Sequence, residues 1–416
     1  MTAKIHGFLF SLLLLQVLNT FGNQQSGKYY ITDFGARADT SVANTEKIQN
    51  AIDKCAADGG GTIVVPKGIF TSGALFFKQG VSLQIEKGGV LKGVVDSEAY
   101  PLVQTRWEGI EREWTSAFIN AFEVDGFVIN GKGTIDGSGV EWLSYKSWRE
   151  LRHGRPRLIA IQNCKNVTIS DIKVNNQACW GVFVLYSEKV TIKNLIIQAA
   201  HTIPMSDGID IDSSSDVLIS GCEIDVNDDC IAIKSGKDED GRRVNRPSEN
   251  IIVEHCKLNY GHGGVSMGSE MSGGIRNVEI RDCVVATGNW APIRFKSQPS
   301  RGGVVENITY RDLVLNNTKQ AFEFNMEWRM RPPIKPASDP LPVVRNVKII
   351  NVSGTVESVG YFHGLEESPV EGITFQDCHI QAQTGLILEN VKNIDLSGLE
   401  ITVEKGEAIL QRSNVE

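Results

Sequence analysis

Several features that would place a chain quickly in a familiar class are missing here. No C-x-x-C pair occurs among the eight cysteines, which argues against a zinc site. No Gly-x-Ser-x-Gly elbow is present, so a serine esterase lacks its nucleophile motif. Basic residues do not outnumber acidic ones (42 against 50), leaving a net charge of −8 and a pI near 5.5. That excludes a general nucleic-acid binder, although a local group of Arg and Lys can still hold an anionic substrate. Prolines are few, at 13, and helix-periodic stretches are scarce, while glycines number 41. Many glycines with few helices point to many turns and many short strands.

Only one long apolar run exists. Residues 1–22 have a weakly positive start at Lys4, an apolar stretch from Gly7 to Leu18, and small residues at Thr20 and Gly22. This is the pattern of a signal peptide cleaved after Gly22, and the run is too short for a comfortable membrane span. The mature chain is therefore expected to be secreted or periplasmic.

What is present is a repeat. A turn residue, an apolar-polar-apolar triplet and a polar pair recur as Asn166-Val-Thr-Ile-Ser-Asp, Asp216-Val-Leu-Ile-Ser-Gly, Asn250-Ile-Ile-Val-Glu-His, Asn277-Val-Glu-Ile-Arg-Asp and Asn307-Ile-Thr-Tyr-Arg-Asp, with further copies at 189, 346, 372 and 393. The basal period is about 21–27 residues with occasional insertions, which is a solenoid signature. The units alternate Val, Ile, Thr and Phe with polar residues, and no helical stretch separates them. The expected fold is all-β, a parallel β-helix in which each coil adds a rung to stacked sheets. Cys222, Cys256, Cys283 and Cys378 share one register after the strand and are expected to be stacked, buried, free thiols.

Thr45 to Ala57 is amphipathic through Ile48, Ala51, Ile52 and Cys55, and reads as a short N-terminal helix capping the open end of the solenoid. No linker or composition break interrupts the chain, so one domain is expected from 27 to 410. The stretch Arg329–Pro342, with five prolines, is expected to protrude as a loop, and residues 234–250 form an insertion.

Aligning coils on their apolar-x-apolar cores places chemistry in register. Asp207-Gly-Ile-Asp-Ile matches Asp229-Cys-Ile-Ala-Ile, followed by Gly263-Gly-Val-Ser-Met and Ala291-Pro-Ile-Arg-Phe-Lys. Asp207 and Asp229 then sit on neighbouring rungs, roughly 4.8 Å apart. Asp228 and His262 share the position one residue earlier. Arg294 and Lys296 follow on the next rung. Asp-Gly alone is a common turn pair, and each of the other pieces is equally ordinary alone. Their shared register forms a carboxylate group that raises at least one pKa, as a general acid requires, while another ionised carboxylate activates water. The two cations could hold an anionic sugar.

These motifs resemble glycoside hydrolase family 28, the polygalacturonase-like pectin hydrolases. The family's Asn-Thr-Asp, Asp-Asp, Gly-His-Gly and Arg-Ile-Lys read here as Met205-Ser-Asp207, Asp228-Asp229, Gly261-His262-Gly263 and Arg294-Phe295-Lys296. The resemblance implies a right-handed parallel β-helix and an inverting acid/base mechanism without a cofactor or catalytic metal. Carried over, Asp228 is the general acid, Asp207 and Asp229 activate water, His262 tunes the acid, and Arg294 and Lys296 bind the galacturonate carboxylate. The substrate expected is a pectic polysaccharide or oligogalacturonide, attacked by a monomer with no nucleic-acid or, after signal cleavage, membrane partner. An exo-acting polygalacturonase is expected, with the 234–250 insertion and the proline-rich loop closing one end of the groove and Arg242, Arg243 or Arg246 meeting the chain end. Alternatives are a hydrolase acting on rhamnogalacturonan, a calcium-dependent pectate lyase using Asp207, Asp210, Asp212, Asp225, Asp228 and Asp229, and a non-catalytic pectin-binding solenoid.

Overall fold

The computed structural model describes residues 27–145, 151, 153–328 and 335–416. The expected signal peptide lies outside the described residues, as do positions 329–334 of the proline-rich stretch. No helix among the described residues is long and apolar enough to cross a membrane.

The architecture follows from the repeat. Each short strand pairs in parallel with the strand one coil further on, continuously from Gly27–Tyr30 to Ile409–Gln411. Alternation puts one row of side chains inward. In one ladder Ile159, Val182, Ile209, Ile231, Val265, Ile293 and Phe322 stand opposite one another and are all buried. The polar turn residue of the repeat has a backbone reason. Asn166, Asn250, Asn277, Asn307 and Asn346 all have φ between 52° and 56°, a left-handed conformation that Asn tolerates better than most residues. Their side chains bond to one another up the stack, Asn277 to Asn250 and Asn307 to Asn277, each at 3.3 Å.

Cys222, Cys256 and Cys283 stack on successive rungs, Cys378 stands in the same row beyond Leu313 and Val352, and all eight cysteines are free and buried. Alkylating reagent is accordingly expected to modify none of them in the native protein and all eight after unfolding. Mass spectrometry checks this, and labelling of any native cysteine would contradict the burial.

The helix Thr45–Ala57 sits where the sequence puts it, with Ile48, Ala51, Ile52 and Cys55 buried against the first coil. The 234–250 insertion is more than a loop: it contains the helix Asp238–Val244. One element was not foreseen. Between early coils the chain leaves the solenoid as an antiparallel hairpin, Leu102–Trp107 with Ile110–Thr115, which lies over the outer face of the ladder that carries the candidate site.

Candidate active site

The strands Ile209–Asp212, Ile231–Lys234, Gly261–Met267 and Asn289–Lys296 are consecutive rungs of one ladder. Asp207 and the pair Asp228-Asp229 lie just before the first two. The register puts Asp207 opposite Asp229, and Asp228 opposite His262. One carboxylate oxygen from each of Asp207, Asp228 and Asp229 lies within 4.8 Å of the others. All six residues singled out from sequence converge.

Asp229 is the anchor. It is 1% exposed, and its oxygens accept from Ser266 Oγ at 2.9 Å, Arg294 Nη1 at 3.2 Å and Lys296 Nζ at 2.6 Å. Gly263 makes this possible. A Cβ there would lie 2.6 Å from Asp229 Oδ1 and 2.1 Å from Ser266 Oγ, so any side chain would push the carboxylate out of the rung. Burial raises the Asp229 carboxyl, but Lys296, Arg294 and Lys234 outweigh it and hold it well below the usual carboxylate range. A calcium ion would need the same oxygens, and two cations and a hydroxyl already occupy them.

Asp207 goes the other way. It is buried, and burial together with the charges of Asp210 and Asp228 lifts its carboxyl well above the ordinary range, with Lys234 opposing. Asp228 is partly exposed. Burial raises it, but the interaction with His262, whose Nδ1 lies 3.3 Å from Asp228 Oδ1, brings it below the usual value. His262 is raised in turn, chiefly by Asp228. Of the three carboxylates Asp207 is therefore the one whose proton is held more tightly, while Asp228 is paired with His262. The resemblance assigns the acid to Asp228. With the three carboxylates this close, the proton belongs to the group, and a ligand that separates His262 from Asp228 moves it.

The two departures from the family motifs have visible consequences. Ser206 replaces a Thr, and its hydroxyl donates to Ile203 O at 2.8 Å and accepts from Asn227 N at 3.2 Å, tying the loop before Asp207 to the loop before Asp228. Phe295 points inward and stacks on Phe324 at 4.2 Å, leaving Arg294 and Lys296 on the outer face.

Sequence reasoning missed a second buried layer. Lys234 Nζ lies 3.2 Å from Glu270 and 3.5 Å from Asp210. Neither Asp210 oxygen has a hydrogen bond, and burial, against Lys234, pushes its carboxyl up to about 7. Glu323 accepts from Arg294 Nε at 2.8 Å, a pairing that one further step of register would have found. Trp290 stands opposite His262 by register, two rungs from Asp228, and is 46% exposed. An exposed indole there is a stacking surface for a sugar ring. Trp290→Ala is expected to lower kcat/KM on polymer by about three- to tenfold, the size of one lost aromatic contact, through KM. Unchanged kinetics would remove Trp290 from the site.

The arginines of the insertion are engaged within the protein. Arg242 donates to the carbonyls of Ser300 and Arg301, Arg243 pairs with Glu111 and Asp240, and Arg246 lies over the Tyr186 ring. Of the three, Arg243 ties the insertion to the hairpin, through Glu111. Arg106 of the hairpin is fully buried and donates to Asp212 at 2.7 Å and Ser213 at 2.8 Å. Trp107 stacks between Trp114 and Trp180, at 4.8 and 5.0 Å. Register places Trp180 one rung before Asp207. At the tip, Lys237 N donates to Gly109 O at 2.9 Å, and a Cβ on Gly109 would meet Lys237 at 2.5 Å. The outer face is thus covered by the hairpin directly N-terminal to the carboxylates, while beyond them Trp328 lies over Arg294 and Lys296, its ring 4.7 and 5.6 Å from the two cations.

The model of the family described as glycosyl hydrolases family 28 matches residues 55–400. A probable polygalacturonase of Vitis vinifera is 27% identical over 361 residues, covering 84% of this chain and 73% of that one. An endo-polygalacturonase of Pectobacterium carotovorum subsp. carotovorum is 33% identical over 302 residues, covering 68% and 71%. Among solved structures, an exopolygalacturonase from Thermotoga maritima superposes with a TM-score of 0.76 at 30% identity, covering 89% of this chain and 92% of that one.

Proposed function

The chain belongs to glycosyl hydrolases family 28 and is a glycoside hydrolase, and from that premise we propose that it is a polygalacturonase that cleaves pectin from a chain end. The substrate class rests on the polygalacturonase relatives and on two cations, Arg294 and Lys296, beside the carboxylates. Each is bonded to Asp229, yet Lys296 has further N–H donors that a uronic carboxylate can take.

The roles follow from the charges. Asp228, partly exposed and facing His262, gives the proton to the leaving oxygen. Asp229 stays ionised and, with Asp207, orients and deprotonates the attacking water. The carboxylates are closer than the roughly 6.5–9.5 Å usual for an inverting pair. That spacing favours a second reading, in which Asp229 attacks the sugar directly and configuration is retained. Asp229 accepts three hydrogen bonds, two of them from cations, which leaves about one of its four lone-pair sites for a water proton and weakens the carboxylate as a nucleophile toward carbon. Proton NMR of the first-formed product decides: an anomer opposite to that of the linkage supports inversion, and the same anomer overturns it.

The observation that carries the exo mode is the hairpin covering the sheet one rung before Asp207. Incubation with homogalacturonan is expected to release short products from the start, with little early fall in viscosity. A rapid viscosity fall would make the enzyme endo-acting. Release from rhamnogalacturonan alone would keep the mechanism and move the substrate. We also place the enzyme outside the cytoplasm, on the strength of the apolar leader, with a mature N-terminus following Gly22 as the testable outcome.

A further inference from the structure

The open end of the groove changes chemical character along its length. The outer row that contains Lys296 continues, rung by rung, as Asn325, His363 and Glu389. The neighbouring row runs from Arg294 through Glu323 and Tyr361 to Ile387. Beside the carboxylates these rows carry two buried cations, Arg294 and Lys296, both paired with Asp229. Beyond them the surface opens into a cavity of about 320 Å³ lined by Asn325, Glu327, Tyr361, His363, Glu389 and Arg412.

The cavity is mixed in chemistry. His363 bridges two carboxylates, Nδ1 to Glu389 at 3.1 Å and Nε2 to Glu327 at 3.2 Å, and Arg412 lies 3.4 Å from Glu389. Glu323 is already taken by Arg294 and by the Tyr361 hydroxyl, so it presents no free carboxylate to a ligand. The His and Arg groups are engaged by Glu389 and Glu327, so neither is an unopposed cation. Carboxylates only accept hydrogen bonds, and sugar hydroxyls donate them. A second carboxylate brought to Glu327 and Glu389 would meet like charge at short range. Tyr361 and Ile387 offer an apolar floor at the same place.

We propose that this cavity is a distal subsite for a sugar ring without a free carboxylate, either a neutral sugar or a methyl-esterified uronate. The inference rests on the polysaccharide-hydrolase reading and adds a specificity to it: the enzyme cuts at a galacturonate and prefers an uncharged residue several positions away. His363 lies four rungs, and Glu389 five, beyond Asp229, which is roughly 19–24 Å at the spacing of parallel strands. The span exceeds the length of three sugar rings, so a trimer stops short of the cavity and a decamer reaches it.

The test compares kcat/KM for decamers with that for trigalacturonate, as a ratio, in the wild type and in Glu327→Gln/Glu389→Gln. Three decamers are used: all free acid, methyl-esterified only at the positions that reach the cavity, and carrying neutral sugars there. In the wild type the ratio is expected to be at least about fivefold higher for one or both uncharged decamers than for the free acid, as expected when a like-charge contact is avoided. The double variant is expected to erase that difference. Preference for the neutral decamer alone identifies a neutral sugar, preference for the ester alone identifies the methyl ester, and preference for both identifies any uncharged ring. Equal ratios for all three decamers, or a free-acid preference in the wild type, would overturn the proposal. If no oligomer is cleaved, the hydrolase reading is what fails. Calorimetric binding of the same decamers then judges the subsite, and tightest binding of the free acid overturns it.

Discussion

Asp228→Asn is expected to lower kcat on homogalacturonan by about 10²–10⁴-fold, the range for loss of a general acid or base, with KM changed far less. The amide keeps the shape and cannot carry the proton. Asp207→Asn and Asp229→Asn are expected to fall in the same range without adding to one another, because the three carboxylates share one protonation equilibrium. Circular dichroism confirms the fold, and released sugar measures the rate. Activity within tenfold of wild type for Asp228→Asn would remove it as the acid.

The charges also fix the pH dependence. Activity requires Asp229 ionised, which holds down to low pH because its carboxyl is depressed. It also requires one proton on the group, which the raised carboxyl of Asp207 retains above the ordinary carboxylate range. A bell-shaped profile centred in the acidic range is expected. Stability follows the same signs. Asp207 and Asp210 are raised on folding, so their contribution is present below the unfolded carboxylate pKa and is lost as pH rises, for Asp210 through about 7. Glu270 is depressed to about 2, because Lys234 and Arg301 outweigh its burial, so its contribution is lost only as pH falls toward that value. Thermal unfolding against pH is therefore expected to peak between these limits, and a maximum above neutrality would contradict the assignment.

Arg106→Met carries the second large effect. It strands Asp212 in a buried site, and breaking a buried ion pair by removing one partner costs about 3–5 kcal/mol. The hairpin also loses its buried ion pair with the ladder, while Arg157 still donates to the Arg106 carbonyl at 2.6 Å and the Thr105 hydroxyl at 3.4 Å. A lower unfolding midpoint in denaturant is expected, with a shift of products from short ends toward internal cuts. The double variant Arg106→Met/Asp212→Leu separates the two consequences, since it removes both charges and so recovers most of the stability. If products stay short in both variants, the hairpin does not set the mode of cleavage.

Much of the site was legible in the sequence because a parallel solenoid turns sequence offset into distance. Once one apolar-x-apolar core is aligned with the next, the partner of every residue is fixed, and Asp207 against Asp229 and Asp228 against His262 follow without a structure. The capping helix was legible for a similarly local reason, its apolar spacing followed by Gly59-Gly60-Gly61. Glu323 was within reach of the same alignment, one rung beyond Arg294.

The sequence by itself determined the coil, the stacked column of cysteines, the left-handed asparagine turns and the meeting of six reactive side chains, since each depends only on period and register. Tertiary structure alone decided how those side chains are charged and which way the groove is closed. Lys296 and Arg294 reach back across rungs and hold the Asp229 carboxyl low, while burial and the converging charges of Asp210 and Asp228 raise that of Asp207. The hairpin that covers one end departs from the repeat. Its position depends on a buried Arg106 and a tryptophan stack joining residues that lie about 70 to 110 positions apart in the chain, separations over which no local pattern carries information.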